Sequence, residues 1–258
     1  MEYILSYFVI YAFFGWILEV VFQQLTTGRF VNRGMLAGPY CPIYGIGVSL
    51  LIIITKKFDQ NFLMLFIVSS FICSLLEYVS GFLLEKIFHE RWWDYSDEPF
   101  NLHGYICLRF SIAWGLAGAI VIKEIHPFIE SFVYWLPYKF LIIILIVLLI
   151  GMFIDFIVTV NHILGLNKKV DELILIQNNM RKISDDMGMR ISNHAAKASS
   201  KVHDILDNPE FKEHLEKVHE RLNYTQRRLL KAYPNLKGTR SKLQNEILKQ
   251  LRKKNKDK

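Results

Sequence analysis

Cysteine is scarce in this chain and poorly placed for a framework. Cys41, Cys73 and Cys107 have neither pairwise nor CxxC spacing, so no disulfide scaffold and no zinc site is expected. HExxH and paired-histidine spacings are also missing, and no metal or other cofactor is expected. There is no GxxxxGK[ST], which excludes ATP hydrolysis through a Walker loop on this chain. No segment of about 20 to 50 residues repeats. A cleavable leader is not expected, because no basic region precedes the first apolar run and no small-residue cleavage site follows it. Positive charge is thin over residues 1–163, with nine Lys and Arg against twelve Asp and Glu, a net −3. Residues 164–258 hold twenty-two against twelve, a net +10. Two kinds of sequence are joined: a membrane part, 1–163, and a basic helical tail, 164–258.

What is abundant is apolar: 52% of the residues are hydrophobic, and mean hydropathy is +0.23 despite the polar tail. A helix needs about 20 apolar residues to cross a bilayer. Stretches at 3–25, 40–55, 62–84, 105–123 and 138–162 approach that length, which predicts an all-α, polytopic transmembrane bundle of five spans. The second stretch is short and carries Pro39, Pro42, Gly45 and Gly47, which disfavour a regular helix. A re-entrant or broken segment over 28–47, giving a sixth crossing element, is the alternative. Trp92, Trp93 and Tyr95, and again Tyr134, Trp135 and Tyr138, have the composition of interfacial belts. Arg29, Arg33, Lys86 and Arg91 would lie on one side, and Lys56, Lys57, Lys123 and Lys139 on the other. That comparison is balanced, so Lys168, Lys169 and the tail decide it: N-terminus outside, C-terminus cytoplasmic.

The chain is organised around residues 77–115. An ionisable group in a span costs roughly 2.5 to 3.5 kcal/mol on insertion scales, so it faces protein or a wet cavity. Helical periodicity gathers Ser70, Ser74, Glu77, Gly81 and Glu85 on one face, and Ala12, Gly15, Glu19 and Gln23 on another. Gly151, Asp155, Thr159 and His162 form a third stripe, and on the fourth span Arg109 shares a side with Ala113 and Ala117, with Ser111, Gly115 and Ala119 on another. Glu19, Glu77, Glu85, Arg109 and Asp155 are therefore the candidate substrate or ion site. In the expected orientation all five lie in the cytoplasmic half of the bilayer, with Arg109 bridging two carboxylates and Glu77 nearest the centre. The plain alternative makes the stripes packing faces, since small residues at every fourth position let helices approach.

The loop WWDYSDEPFNLHG offers a second candidate, an interfacial site of Trp93, Asp94, Tyr95, Asn101 and His103. Asp94, Asp97, Glu98 and His103 are side chains that acid–base chemistry uses, and an interfacial anchor with solvated acids explains them equally well. In the tail, Leu173, Ile176, Met180, Ile183 and Met187 have the spacing of a coiled-coil seam and predict self-association. Asn208 and Pro209 open a helix with Phe211, Leu215, Val218, Leu222 and Leu229 on one face. Tyr233, Pro234 and Gly238 end it, and Leu243, Ile247 and Leu251 mark a last short helix. His203, His214 and His219 fit solvated helix positions better than ligands. The basic tail lacks the aromatic interleaving of a nucleic-acid surface, and anionic headgroups of the lipid bilayer or a partner helix suit it better.

Gly15, Trp16 and Glu19, the run RGMLAGPYCPIYGIG from Arg33 to Gly47, LEYVSGFLLE ending at Glu85, and WWDYSDEPFNLHGYICL followed by Ser111, Trp114 and Gly115 together resemble the ABC-transporter type IV permease family of bacterial membrane proteins, over about residues 8–160. The resemblance implies a multi-span permease subunit in the bacterial plasma membrane, with any ATP-binding subunit on a separate chain. The expected function is transport. A membrane enzyme acting on a lipid-linked substrate through Asp94 and His103, or a scaffold or sensor working through the tail, are the alternatives.

Overall fold

The computed structural model describes residues 3–27, 32, 34–56, 61–191, 209–232, 237–238 and 247–253. Its elements are α1 (Ile4–Thr27), α2 (Pro42–Thr55), α3 (Phe62–Phe88), β1 (Glu90–Arg91), β2 (Asn101–Leu102), β3 (Ile106–Cys107), α4 (Leu108–Ile120), a π-helical turn (Val121–Ile125), α5 (His126–Trp135), α6 (Tyr138–Ile191), α7 (Pro209–Glu220), α8 (Tyr224–Ala232) and β4 (Lys237–Gly238). They fall into two compact units, Met1–Ile87 with Arg91–Val160, and Phe88–Glu90 with Asn161–Lys258.

Among the described residues, four helices are long and apolar enough to cross a membrane: Ile4–Leu25, Phe62–Phe88, Leu108–Trp135 and Tyr138–Leu175. Their outward faces carry Phe14, Leu18, Phe71, Val147 and Phe153, all exposed. A surface so continuously apolar is a lipid-facing one. The fourth helix is longer than the stretch 105–123 suggests. Lys123 and Glu124 read as its end, and Pro127, which has no N–H to give, reads as a break. The wide turn at Val121–Ile125 absorbs that defect, and the helix continues through α5.

The segment read as a second span is a 14-residue apolar helix, α2, about 21 Å long, preceded by non-helical backbone over 34–41. Pro42 does not disturb it because it occupies the first turn, where no N–H is missed. Gly45 is where the helix touches α1: a Cβ there would strike the Phe8 carbonyl. The Cys41 N–H donates to the Ala12 carbonyl at 2.8 Å, so α2 starts within the length of α1 and not at its end.

Small residues join α3 to α4, as their stripes suggest. Ser74 Oγ donates to Ser111 Oγ at 2.7 Å, Gly115 lies against Ser70, and Gly118 against Ser69. Tyr7, Tyr11, Leu51, Ile52, Leu65, Ala119, Ile122, Val133 and Leu141 close the core.

The second unit has its own core. Leu166, Val170 and Leu173 of α6, at steps of four and three, pack on Phe211, Leu215, Val218, Leu222, Leu230, Ile247, Leu248 and Leu251. Burying one such side chain contributes about 1.5 to 3 kcal/mol. The expected seam thus opens with a residue, Leu173, that packs within its own chain. The side chains of Ile176, Met180, Ile183 and Met187 lie outside the described residues, as do Arg29, Arg33, Lys57, His203, Asn208, Tyr233, Pro234 and Leu243. The helix expected to run from Phe211 to Leu229 is two helices. Asn223 Oδ1 accepts from the Gln226 N–H at 2.9 Å and Gln226 Oε1 accepts from the Asn223 N–H at 3.2 Å, a reciprocal cap that starts α8 afresh. His219, expected in solvent, is 4% exposed.

Candidate functional site

The loop after α3 folds back along the helix it has just left. Glu77 lies eleven residues before Phe88, about 16 Å up the axis. Tyr95 nevertheless reaches it, donating its hydroxyl to Glu77 Oε1 at 3.0 Å. Gly81 makes room, since a Cβ there would press on the rings of Tyr105 and Trp93. Lower down, Glu85 Oε2 accepts from Arg91 Nε at 2.6 Å and from the Tyr105 hydroxyl at 2.8 Å.

The loop keeps its shape through its own polar groups. β2 and β3 form an antiparallel hairpin with Asn101 opposite Cys107 and Leu102 opposite Ile106. Asn101 Nδ2 donates to the Ser96 and Glu98 carbonyls at 3.1 and 2.8 Å, and its Oδ1 accepts from the Gly104 N–H at 3.2 Å. Asp94 accepts from the Ser96 N–H at 3.1 Å and faces Arg91 at 3.6 Å. Trp93 Nε1 donates to the Tyr105 carbonyl at 2.9 Å, and His103 Nδ1 meets the Tyr78 hydroxyl at 3.1 Å. The turn needs left-handed backbone at His103 (φ 54°) and Gly104 (φ 73°). A side chain at 104 would collide with Ser96, Asp94 and Arg91, so glycine is required. Trp93, Asp94, Tyr95, Asn101 and His103 are thus gathered in one hairpin, and each makes a hydrogen bond that holds it.

Glu77 is 9% exposed, and its Oε2 makes no hydrogen bond, though the Trp114 indole faces the carboxylate. Glu19 Oε1 accepts from the Tyr44 hydroxyl at 2.7 Å, and the Tyr44 ring meets Trp114 edge-on with centroids 5.9 Å apart. Burial first, then the Glu77 carboxylate and more weakly that of Glu19, push the Tyr95 hydroxyl well above its ordinary range. Tyr95 therefore stays a donor, and it feels both acids. The two are linked through aromatic groups, Tyr44, Trp114 and Tyr95.

Arg109 does not bridge membrane carboxylates. Its side chain is 75% exposed and pairs with Glu98 at 3.7 Å, because it stands in the first turn of α4, directly after the hairpin. The guanidinium that meets Glu85 belongs to Arg91, six residues on and just past the helix end, a position that helical spacing does not flag. Asp155 has different company. Its carboxylate accepts from the Ala37 and Gly38 N–H groups at 3.2 and 2.8 Å, the Tyr40 hydroxyl at 2.8 Å and Thr159 Oγ1 at 3.0 Å. Tyr44, Tyr105, Trp114 and Asn32, which accepts from Trp16 Nε1 at 2.9 Å, complete the polar set, and periodicity of charge singles out none of them. Among the described residues no cluster of three His, Cys, Asp or Glu side chains could hold a metal ion.

No curated protein and no solved structure matches the chain. A family model does, over residues 6–160, more than half of the sequence and all of the site just described. With its long apolar helices, the chain is a transport-related membrane protein, and it belongs to the family described as "Putative ABC-transporter type IV".

Proposed function

We propose that the chain is a permease-like membrane subunit of a transporter, with any ATPase carried on a separate protein, and that Glu77 and Glu19 form its polar centre. One observation carries this: a carboxylate buried deep in an apolar helix, with one oxygen held by a returning loop and the other without a hydrogen bond. Buried ionisable groups in spans mark pathways for ions or polar solutes. Glu85 serves the same centre by tying down the loop that carries Tyr95, Asp155 by holding the segment that leads to Tyr44, and Arg109 stands at the rim beside Glu98.

In this proposal the N-terminus is outside, the protein crosses the bacterial plasma membrane several times, and the basic tail is cytoplasmic, meeting anionic headgroups, a partner subunit or a second copy. The stretch over residues 86–104 then faces the cytoplasm. A lone cysteine at Ser96, in a chain lacking Cys41, Cys73 and Cys107, is expected to resist an impermeant thiol reagent in intact cells and to react after permeabilisation. Labelling of intact cells would reverse the orientation.

The permease assignment is tested by purifying the full chain from its native membrane in mild detergent and identifying what accompanies it. An ATP-binding protein without spans is expected in fixed ratio. If none accompanies the chain and accumulation of solutes in cells is unchanged by Glu77→Gln, the proposal fails.

A further inference from the structure

We infer that Asp155 is the catch of a movable strap, residues 34–41, and not a ligand for a transported species. A carboxylate offers about four lone-pair sites. In Asp155 four donors fill them: Oδ1 takes the Ala37 N–H and Thr159 Oγ1, and Oδ2 takes the Gly38 N–H and the Tyr40 hydroxyl. Three of these come from the strap, more than a hundred residues away in sequence. Glu77 is the contrast, with an oxygen that still lacks a hydrogen bond.

The strap has the build of a movable piece. It lacks regular secondary structure, so no helical or sheet ladder holds its N–H groups. Its ends are fastened to α1: Trp16 Nε1 donates to Asn32, whose Oδ1 also takes the Gly34 N–H at 3.1 Å, and the Cys41 N–H donates to Ala12. Its middle is fastened to α6 by Asp155, and the Ala37 carbonyl also accepts from Asn32 Nδ2 at 2.7 Å. A shift of α6 against α1 must therefore either break the catch or drag the strap. Pro42 follows immediately, so a dragged strap moves the start of α2 and with it Tyr44, the hydroxyl on Glu19. Burial, reinforced by the Asp155 carboxylate, keeps the Tyr40 hydroxyl protonated and donating.

The protein supplies its own reporter. Cys41, at the inner end of the strap, is 6% exposed and outside any disulfide. In the full-length protein in detergent, with Cys73 and Cys107 changed to Ala, N-ethylmaleimide labelling of Cys41 is followed by intact mass. Charge-assisted hydrogen bonds to a buried group are each worth roughly a factor of ten or more in an equilibrium. Asp155→Ala is expected to speed labelling at least about tenfold, and Asp155→Asn less, because one oxygen remains. Tyr40→Phe, which removes a single donor and little volume, is expected to speed it about tenfold alone, no more than Asp155→Ala does, and to add nothing in the Asp155→Ala background. A chain keeping only Cys107, buried at the end of β3, should label no faster with Asp155→Ala, which separates release of the strap from general loosening. Labelling of Cys41 unchanged by Asp155→Ala, full additivity of the two substitutions, or equal acceleration at Cys107 would each overturn the inference. None of these measurements depends on what the protein transports.

Discussion

Two stretches of non-helical backbone enter the membrane unit, and they are held in opposite ways. The hairpin at 91–107 is tied to the helix that precedes it: Arg91 to Glu85 spans six residues, Tyr95 to Glu77 eighteen, and Tyr105 to Glu85 twenty. The strap at 34–41 is tied across the chain, with 117 residues between Gly38 and Asp155. Loop closure costs little more for each doubling of length, so both arrangements are thermodynamically reasonable. They differ in what they depend on. The hairpin rests on the two helices it joins, α3 and, through the Tyr95–Phe110 stack, the start of α4, whereas the middle of the strap is held across the chain to α6, which suits the first to a fixed wall and the second to a part that responds.

The largest expected effect tests the fixed wall. Gly104→Val forces a β-branched residue into left-handed backbone and drives its Cβ into Ser96, Asp94 and Arg91. Such strain and overpacking should together cost about 3 kcal/mol or more. Thermal unfolding of the purified protein should report a marked loss, or the protein should fail to accumulate. A variant as stable as the parent would mean that the hairpin does not hold this turn.

Next comes the tie to α3. Arg91 and Glu85 are partly screened, with side chains 24% and 21% exposed, but the contact is short and Arg91 also donates to the His103 carbonyl at 3.2 Å and covers the Tyr105 ring. Arg91→Ala should destabilise by roughly 1 to 3 kcal/mol, the range for losing a charge-assisted hydrogen bond near a group left behind. Glu85→Gln should cost less, since the amide oxygen still accepts from Tyr105. In a double-mutant cycle the two should be strongly non-additive. Independent effects would show that Arg91 works mainly through Tyr105 and the loop backbone, and would weaken the view of one local tie.

Long-range ties are also what sequence patterns show least. The long helices are legible in their apolar runs, and Ser70, Ser74, Ser111 and Gly115 reveal the α3–α4 contact because helical spacing puts them on facing sides. Glu77 stands out as an acid in an apolar helix. The strap's attachment to Asp155 has no such signature, because two of its donors are backbone N–H groups of Ala37 and Gly38, which any residue but proline supplies. The turn that carries α4 past Pro127 is equally silent, since a proline after Lys123 and Glu124 looks like an end. The break between α7 and α8 is different: Asn223 and Gln226 carry a recognisable cap, but Leu222 and Leu229 continue the apolar spacing across it, so periodicity alone joins the helices.

The smallest expected effect sharpens the same contrast. A buried arginine bridging acids in the bilayer would be indispensable, because its loss leaves carboxylates without a counter-ion, at several kcal/mol. Arg109 is placed otherwise: its guanidinium is 75% exposed and lies 3.7 Å from a Glu98 that is itself 33% exposed. Pairs of that kind contribute about 0 to 1 kcal/mol, and salt screens them further. The guanidinium also lies over the Phe110 ring at 5.8 Å, a contact of similar modest worth at an exposed site. Arg109→Ala should therefore leave yield and thermal midpoint within the scatter of the parent, and any difference should shrink as salt rises. A large, salt-insensitive loss of folded protein would mean that Arg109 turns inward in the membrane to meet Glu77 or Glu85, and that the charge of the polar centre is balanced from within.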